Sequence, residues 1–190
     1  MNTHRVWHLM DETERRKWQN PEAILKEIGL KTGMTMMDLG CGGGFFTLPA
    51  ARLVGAAGRV YGVDINGDYI EQIQQKASAE GLKNLVLKTG AAEETRLCLA
   101  CADIVFLGIV LHDFQDPARV LKNAREMLKP EGKLANQDWK KKATSFGPPV
   151  TVRLDEDAAS KLIESAGFKV ESVKDSGPDH YLIVAHLLAG

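Results

Sequence analysis

Long apolar runs, cysteines and an excess of either charge are all scarce in this chain of 190 residues. The longest uncharged apolar stretches, Ile104–Leu111 and Tyr181–Ala185, fall far short of the roughly 20 residues a helix needs to cross a bilayer. The N-terminus, Asn2-Thr3-His4-Arg5 with Asp11-Glu12 and Arg15-Arg16-Lys17 further on, lacks the apolar centre of a signal peptide, so a cytoplasmic location is expected. A net charge of −1 supplies no global attraction to nucleic acid or to a membrane surface, and neither is an expected partner. Three cysteines do not make a disulfide framework. Cys98-x-x-Cys101 would need two more ligands at sensible spacing to hold zinc, and a redox pair usually opens a helix, whereas this one precedes an apolar run. The pair is therefore expected to be small buried side chains on a connector, with no metal site. Repeats and low-complexity tracts are also missing.

What is present is an ordinary globular composition, 44% hydrophobic and 26% charged, long enough to bury one core. A single domain over 1–190 is expected, with an N-terminal helical cap over 1–29 and the core over 30–190. Apolar runs and breakers alternate strand with helix. The N-terminal segment reads as helical over 12–29, broken by Asn20-Pro21, where Asn20 can cap a helix that begins on Pro21. Strands are expected at Thr35–Leu39, Arg59–Val63, Leu85–Lys88, Asp103–Leu107 and Lys133–Asp138. Helices fall between them at about 45–53, 68–80 and 117–128, and a turn at Pro130-Glu131-Gly132 leads into the fifth strand. A helix over 155–165 precedes two last strands, Lys169–Lys174 and Tyr181–Leu187. Alternation of this kind implies a doubly wound α/β sheet. The short turn Ser176-Gly177-Pro178-Asp179 can join only antiparallel neighbours, so the last strand must reverse direction.

The most informative segment is Met36-Met37-Asp38-Leu39-Gly40-Cys41-Gly42-Gly43-Gly44-Phe45-Phe46. A strand entering a glycine-rich turn brings backbone close to a ligand, because glycine has no Cβ in the way. A dinucleotide fingerprint needs Gly-x-Gly-x-x-Gly. Here the third position is Phe45, the glycine stands at 44, and Asp38 would repel a pyrophosphate. Asp64 ends the second strand 20 residues after Gly44, placed to accept from two ribose hydroxyls. Asp38-x-Gly40-x-Gly42-x-Gly44 with the spaced Asp64 resembles the class I S-adenosylmethionine-dependent methyltransferases. Among these it is most similar to the small type 11 group, which includes quinone-biosynthesis and arsenite methyltransferases.

The resemblance implies a Rossmann-like sheet of order 3-2-1-4-5-7-6 with strand seven antiparallel, and S-adenosylmethionine as cofactor. It implies that Asp38, Gly40, Cys41, Gly42 and Gly44 hold the methionine end, Asp64 the ribose, and Ile65 the adenine. Ala91-Ala92, Leu107 and Gly108 complete the expected cofactor site. An acid often found in the family where Ala91 stands is missing, which leaves adenine to backbone, packing, Thr89 or Glu93. After the fourth strand, His112 is a candidate general base, with Asp113 or Asp116 to orient it. Alternatively His112 only closes the pocket, and one of those acids caps the next helix. Asp138, ending the fifth strand, is the third catalytic candidate. Lys140, Lys141, Lys142 and Arg153 follow it, and a cleft lined by one sign of charge gathers the other. The segment 138–153 is therefore expected to form the acceptor side of the pocket, and the acceptor to be a small anion. Asn136 and Gln137 are oddly polar for a central strand and require partners. His180-Tyr181 reads as an ordinary hairpin pair. Two alternatives stay open: an inactive cofactor-binding subunit that supports a partner protein, and a nicotinamide-dependent oxidoreductase, which Asp38 and Phe45 oppose.

Overall fold

Helix α1 (Glu12–Arg16) and helix α2 (Pro21–Glu27) divide the N-terminal segment. Asn20 leaves the helical conformation between them, and its side chain accepts from Ala23 N while Pro21 occupies the first turn. The computed structural model describes residues 12–188, so residues 1–11 of the expected cap lie outside the described part. Helix α3 (Thr47–Val54) starts two residues later than the motif suggested. Asn66, Asp116 and Asp155 cap helices α4 (Gly67–Ala79), α5 (Pro117–Met127) and α6 (Glu156–Ser165) in the same way as Asn20.

Seven strands, β1 (Thr35–Leu39), β2 (Arg59–Asp64), β3 (Leu85–Thr89), β4 (Ala102–Gly108), β5 (Leu128–Trp139), β6 (Phe168–Asp175) and β7 (His180–Leu187), form one sheet. Its order is β3-β2-β1-β4-β5-β7-β6, with β7 antiparallel to both β5 and β6, as expected. Strand β5 begins five residues early. Leu128 already pairs with Ala102, and an irregularity absorbs Pro130-Glu131-Gly132 before Lys133 pairs with Ile104.

Successive residues of β4 serve opposite faces, as the pleat requires. Val105 and Leu107 pack with Leu121 and Ile163 of α5 and α6. Ile104 and Phe106 pack with Leu25 of α2 and Ala51 of α3. Continuous apolarity in β4 thus reflects helices on both sides. Among the described residues, no helix is long and apolar enough to cross a membrane.

The expectation for Cys98 and Cys101 is corrected, because they form a disulfide. The intervening Leu99-Ala100 turns sharply, with Ala100 at φ 46°, and Ala100 N and Cys101 N bond to Glu126 O and Met127 O. That turn sets the two Cα atoms 6.1 Å apart, within bridging range.

Candidate active site

Strand order reverses direction between β1 and β4, and ligands of open α/β sheets collect beyond the carboxyl ends of the strands at such a point. A cavity of about 800 Å³ lies there, in the range of small-molecule sites. Its walls come from the loops after β1, β2, β3 and β4, with α1 contributing Glu12 and Arg15.

The glycine turn after β1 forms the floor. Gly42 has φ +51°, and a Cβ there would meet nothing within 4 Å, so the missing side chain leaves ligand space. Gly44 is different. Its Cβ would stand 2.8 Å from Ile73 Cγ1, and Gly44 does not line the cavity, so this glycine lets α4 approach. Asp64 Oδ2 accepts from Gly42 N at 2.8 Å, and Oδ1 accepts from Asn66 N at 2.9 Å. A carboxylate has further lone pairs, so Asp64 can hold the turn and still receive ribose hydroxyls. Ile65 is 76% exposed on the rim, an apolar face suited to an aromatic base. Ala91, Ala92 and Gly90 continue that wall. Gly40, Cys41 and Gly108 also line the cavity, whereas Leu107 is wholly within the core.

Burial dominates the electrostatics of the floor. Asp38 is 2% exposed and accepts from Thr47 Oγ1 at 2.6 Å. Loss of water pushes its carboxyl up to about 7, and the charge of Asp64 adds to this against the pull of Thr47 and Arg15. Arg15 is lowered to about 10 by burial, against Asp38 and Glu12. The Cys41 thiol is pushed well up, by burial first and then by Asp38 and Asp64, so it stays protonated and is a poor nucleophile. Acids outnumber cations on the lining: Glu12, Asp38, Asp64, Glu93, Glu94, Asp113 and Asp116 face Arg15, Lys76 and Arg119.

At the β4 side the three catalytic candidates come together. His112 Nδ1 lies 2.7 Å from Asp138 Oδ1, and the imidazole is fully enclosed. Asp138 Oδ1 also receives Trp139 N. A carboxylate can only accept, which puts the proton on Nδ1. His112 Nε2 is buried without a hydrogen bond and stands 3.4 Å from Asp113 Oδ1. Asp113 lines the cavity, while His112 and Asp138 stand behind it. Burial alone would lower the imidazole pKa, yet the hydrogen bond and charge of Asp138, with that of Asp113, raise it on balance. Asp116 is the cap of α5 and accepts from Arg119 N.

The expectation for segment 138–153 is corrected. No residue of it lines the cavity. Lys140 pairs with Asp175, Lys142 with Asp179 and Pro178 O, and Lys141 is exposed. Arg153 is a buried staple. It donates to Pro148 O, Lys140 O, Lys142 O and Thr144 Oγ1, and lies 4.8 Å over the Trp139 ring. Gln137 also has a structural answer: Gln19 Nε2 donates to its Oε1 at 2.5 Å, and its Nε2 donates to Ser176 Oγ at 2.8 Å. His180 is more than a hairpin residue. It stacks on Trp18 at 5.1 Å and packs against Trp139, and burial lowers its pKa to about 3. Sequence reasoning missed Arg15, Glu12, Phe45, Tyr69 and Phe114 as lining residues. The apolar pair Phe45-Phe46 next to the glycine turn was a usable signal for one wall, whereas Arg15 stood among several charges with nothing to single it out.

Comparison with known proteins identifies the family and the fold. A family model described as a methyltransferase domain matches residues 30–174. A demethylmenaquinone methyltransferase of Lactobacillus johnsonii is 34% identical over 112 residues, 58% of this chain and 46% of that protein. A 2-phytyl-1,4-naphtoquinone methyltransferase of Trichormus variabilis is 35% identical over 130 residues, 66% of this chain and 55% of that protein. The chain spans about half the length of these curated relatives. The crystal structure of an S-adenosylmethionine-dependent methyltransferase from Aquifex aeolicus superposes with a TM-score of 0.87 at 29% identity, covering 94% of this chain and all of that one.

Proposed function

The chain belongs to the methyltransferase-domain family, whose cofactor is S-adenosylmethionine, and we propose that it methylates a small, flat, largely apolar acceptor of quinol type. The observation that carries this is one cavity with Asp38 and Asp64 on its floor, Gly42 open to it, and Phe45, Phe46, Ile109, Val110 and Phe114 on its walls. The lysine argument for an anionic acceptor loses its basis with the lysines outside the cavity. Quinone substrates in the names of two relatives fit the aromatic walls better.

When bound, the cofactor supplies an electrophilic methyl group on a sulfonium. Asp38 would hold its ammonium, Asp64 its ribose hydroxyls, and Ile65 with Ala91 and Ala92 would cover its base. Placing the acceptor in line is the main work left to the walls. His112, held by Asp138, is proposed to take the acceptor's proton by way of Asp113, whose carboxylate lies between the imidazole and the cavity. Asp138 and Asp113 raise the imidazole pKa against the effect of burial, which strengthens it as a proton acceptor. The work is proposed to take place in the cytoplasm.

Incubation with labelled-methyl cofactor and a metabolite extract tests the proposal. A labelled aromatic product with stoichiometric release of S-adenosylhomocysteine is expected. Cofactor binding without any release would instead favour the inactive-subunit alternative, in which the enclosed His112 is only structural.

A further inference from the structure

Four backbone donors of the glycine-rich turn are spent internally in this chain. Gly40 N and Cys41 N both bond to Val63 O, Gly42 N bonds to Asp64 Oδ2, and Gly44 N bonds to Cys41 O, at 2.8–3.1 Å. With Asp38 and Asp64 beside them, the floor complements the cofactor's sulfonium and ammonium. A cation from another element would complement its α-carboxylate.

Three cationic side chains line the cavity among the described residues: Arg15, Lys76 and Arg119. Lys76 is exposed on α4, 3.7 Å from Glu12. Arg119 is exposed on α5, at the β4 side of the cavity. Arg15 is half-buried and oriented from two directions. Its guanidinium carbon lies 3.9 Å above the Phe45 ring, next to the glycine turn, and its Nε donates to Gln19 Oε1 at 2.7 Å. It is also close enough to Asp38 for each to feel the other's charge.

We propose that Arg15 is the counter-ion of the cofactor's α-carboxylate, delivered by helix α1 from outside the matched family core of residues 30–174. Planar guanidinium and carboxylate match as a two-pronged pair, and Arg15 with Asp38 then brackets a zwitterion, one charge against each. The segment carrying Arg15 is anchored by side chains: Trp18 packs on His180, Phe146 and Trp139, and Gln19 bonds to Gln137. Held in this way, α1 would roof the methionine end of the cofactor. The proposal rests on S-adenosylmethionine being the cofactor.

Calorimetry with S-adenosylhomocysteine and its decarboxylated analogue, which differ only by the carboxylate, tests it against wild type, Arg15→Met and Arg15→Lys. Wild type should prefer the carboxylate form by about 10- to 100-fold, the range of a hydrogen bond to a charged group. Arg15→Met should lose that preference while binding the decarboxylated ligand as wild type does. Arg15→Lys should keep part of the preference. Hydrogen exchange of residues 12–19 should slow on binding the carboxylate form more than the decarboxylated one. Equal weakening of both ligands by Arg15→Met would overturn the proposal and leave Arg15 as packing on Phe45. Loss of acceptor KM alone would overturn it in favour of an acceptor role. A wild type that binds neither ligand would overturn the cofactor assignment itself, a result distinct from the other two.

Discussion

Asp38 should make cofactor binding proton-linked near neutrality, and the size of the linkage follows from its burial. Its carboxyl titrates at about 7 in the folded chain against an ordinary 3.8. Between those values the native state holds a proton that the unfolded state has lost, so stability falls as pH rises through the interval. Each pH unit corresponds to about 1.4 kcal/mol, and the whole interval to about 4 kcal/mol. The contribution is fully present below pH 3.8 and gone above the folded value. Asp38→Asn cannot ionise, so the difference in urea-unfolding free energy between wild type and this variant isolates the effect. Wild type should lose ground to Asp38→Asn by about 4 kcal/mol from pH 4 to pH 8. A cationic ligand favours the carboxylate, so cofactor binding should expel the proton. At pH 6 calorimetry in buffers of different ionisation enthalpy should register close to one proton released, and at pH 8 about a tenth of one. Affinity should rise about tenfold per pH unit up to pH 7 and then level. A flat stability difference, or proton uptake on binding, would refute the burial argument.

Four further outcomes are expected. Gly42→Ala should cost about 1 kcal/mol of stability, for a Cβ at positive φ, yet weaken cofactor binding at least tenfold. Gly44→Ala should show the opposite balance, because its Cβ meets Ile73; urea melts and calorimetry on both variants check the contrast. His112→Ala should lower kcat by about 10²-fold with cofactor affinity unchanged. Asp138→Asn removes a partner that raises the His112 pKa, so its stability loss should be full below the imidazole's ordinary 6.5 and fade as pH rises through the folded value; urea melts at pH 5.5 and 8.5 measure this. Arg153→Met should lower the melting temperature while leaving cofactor affinity intact, since its hydrogen bonds all go to residues 140–148.

The α/β class, the reversed last strand and the Asp38–Asp64 floor were legible because they depend on neighbours in sequence, namely alternation of elements, a short turn, a glycine turn and an acid at a strand end. The strand order, in contrast, came from the family resemblance those residues carry. Contacts between distant residues were not legible. Gln19 and Gln137 are 118 residues apart, and no local pattern in either segment announces the other. Lys140 to Lys142 looked like a charged pocket wall because a run of charge does not reveal its counter-ions. Asp175 and Asp179, on the following hairpin, neutralise two of them. His112 and Asp138 were each singled out by position at a strand end, but their mutual 2.7 Å contact depends on β4 and β5 pairing in one register, Gly108 opposite Gln137. Arg15 remained hidden because its importance lies in what it covers.

Gln137 and Asp138 are adjacent on β5 and point to opposite layers, one bonding to Gln19 and Ser176, the other to His112. A slip of β5 by one residue would exchange their faces. It would strand the His112 imidazole and both amides without partners in a single step. The two polar side chains that look wasteful in a central strand thus act as an alignment key, raising the energy of shifted pairings that an all-apolar strand would tolerate. A chain carrying Gln137→Leu with Asp138→Leu has a more apolar centre, yet on this argument it should refold into several pairings of β5 with β7. Multiple amide resonances for Leu182 and Val184 would show it, and a single sharp set would refute it.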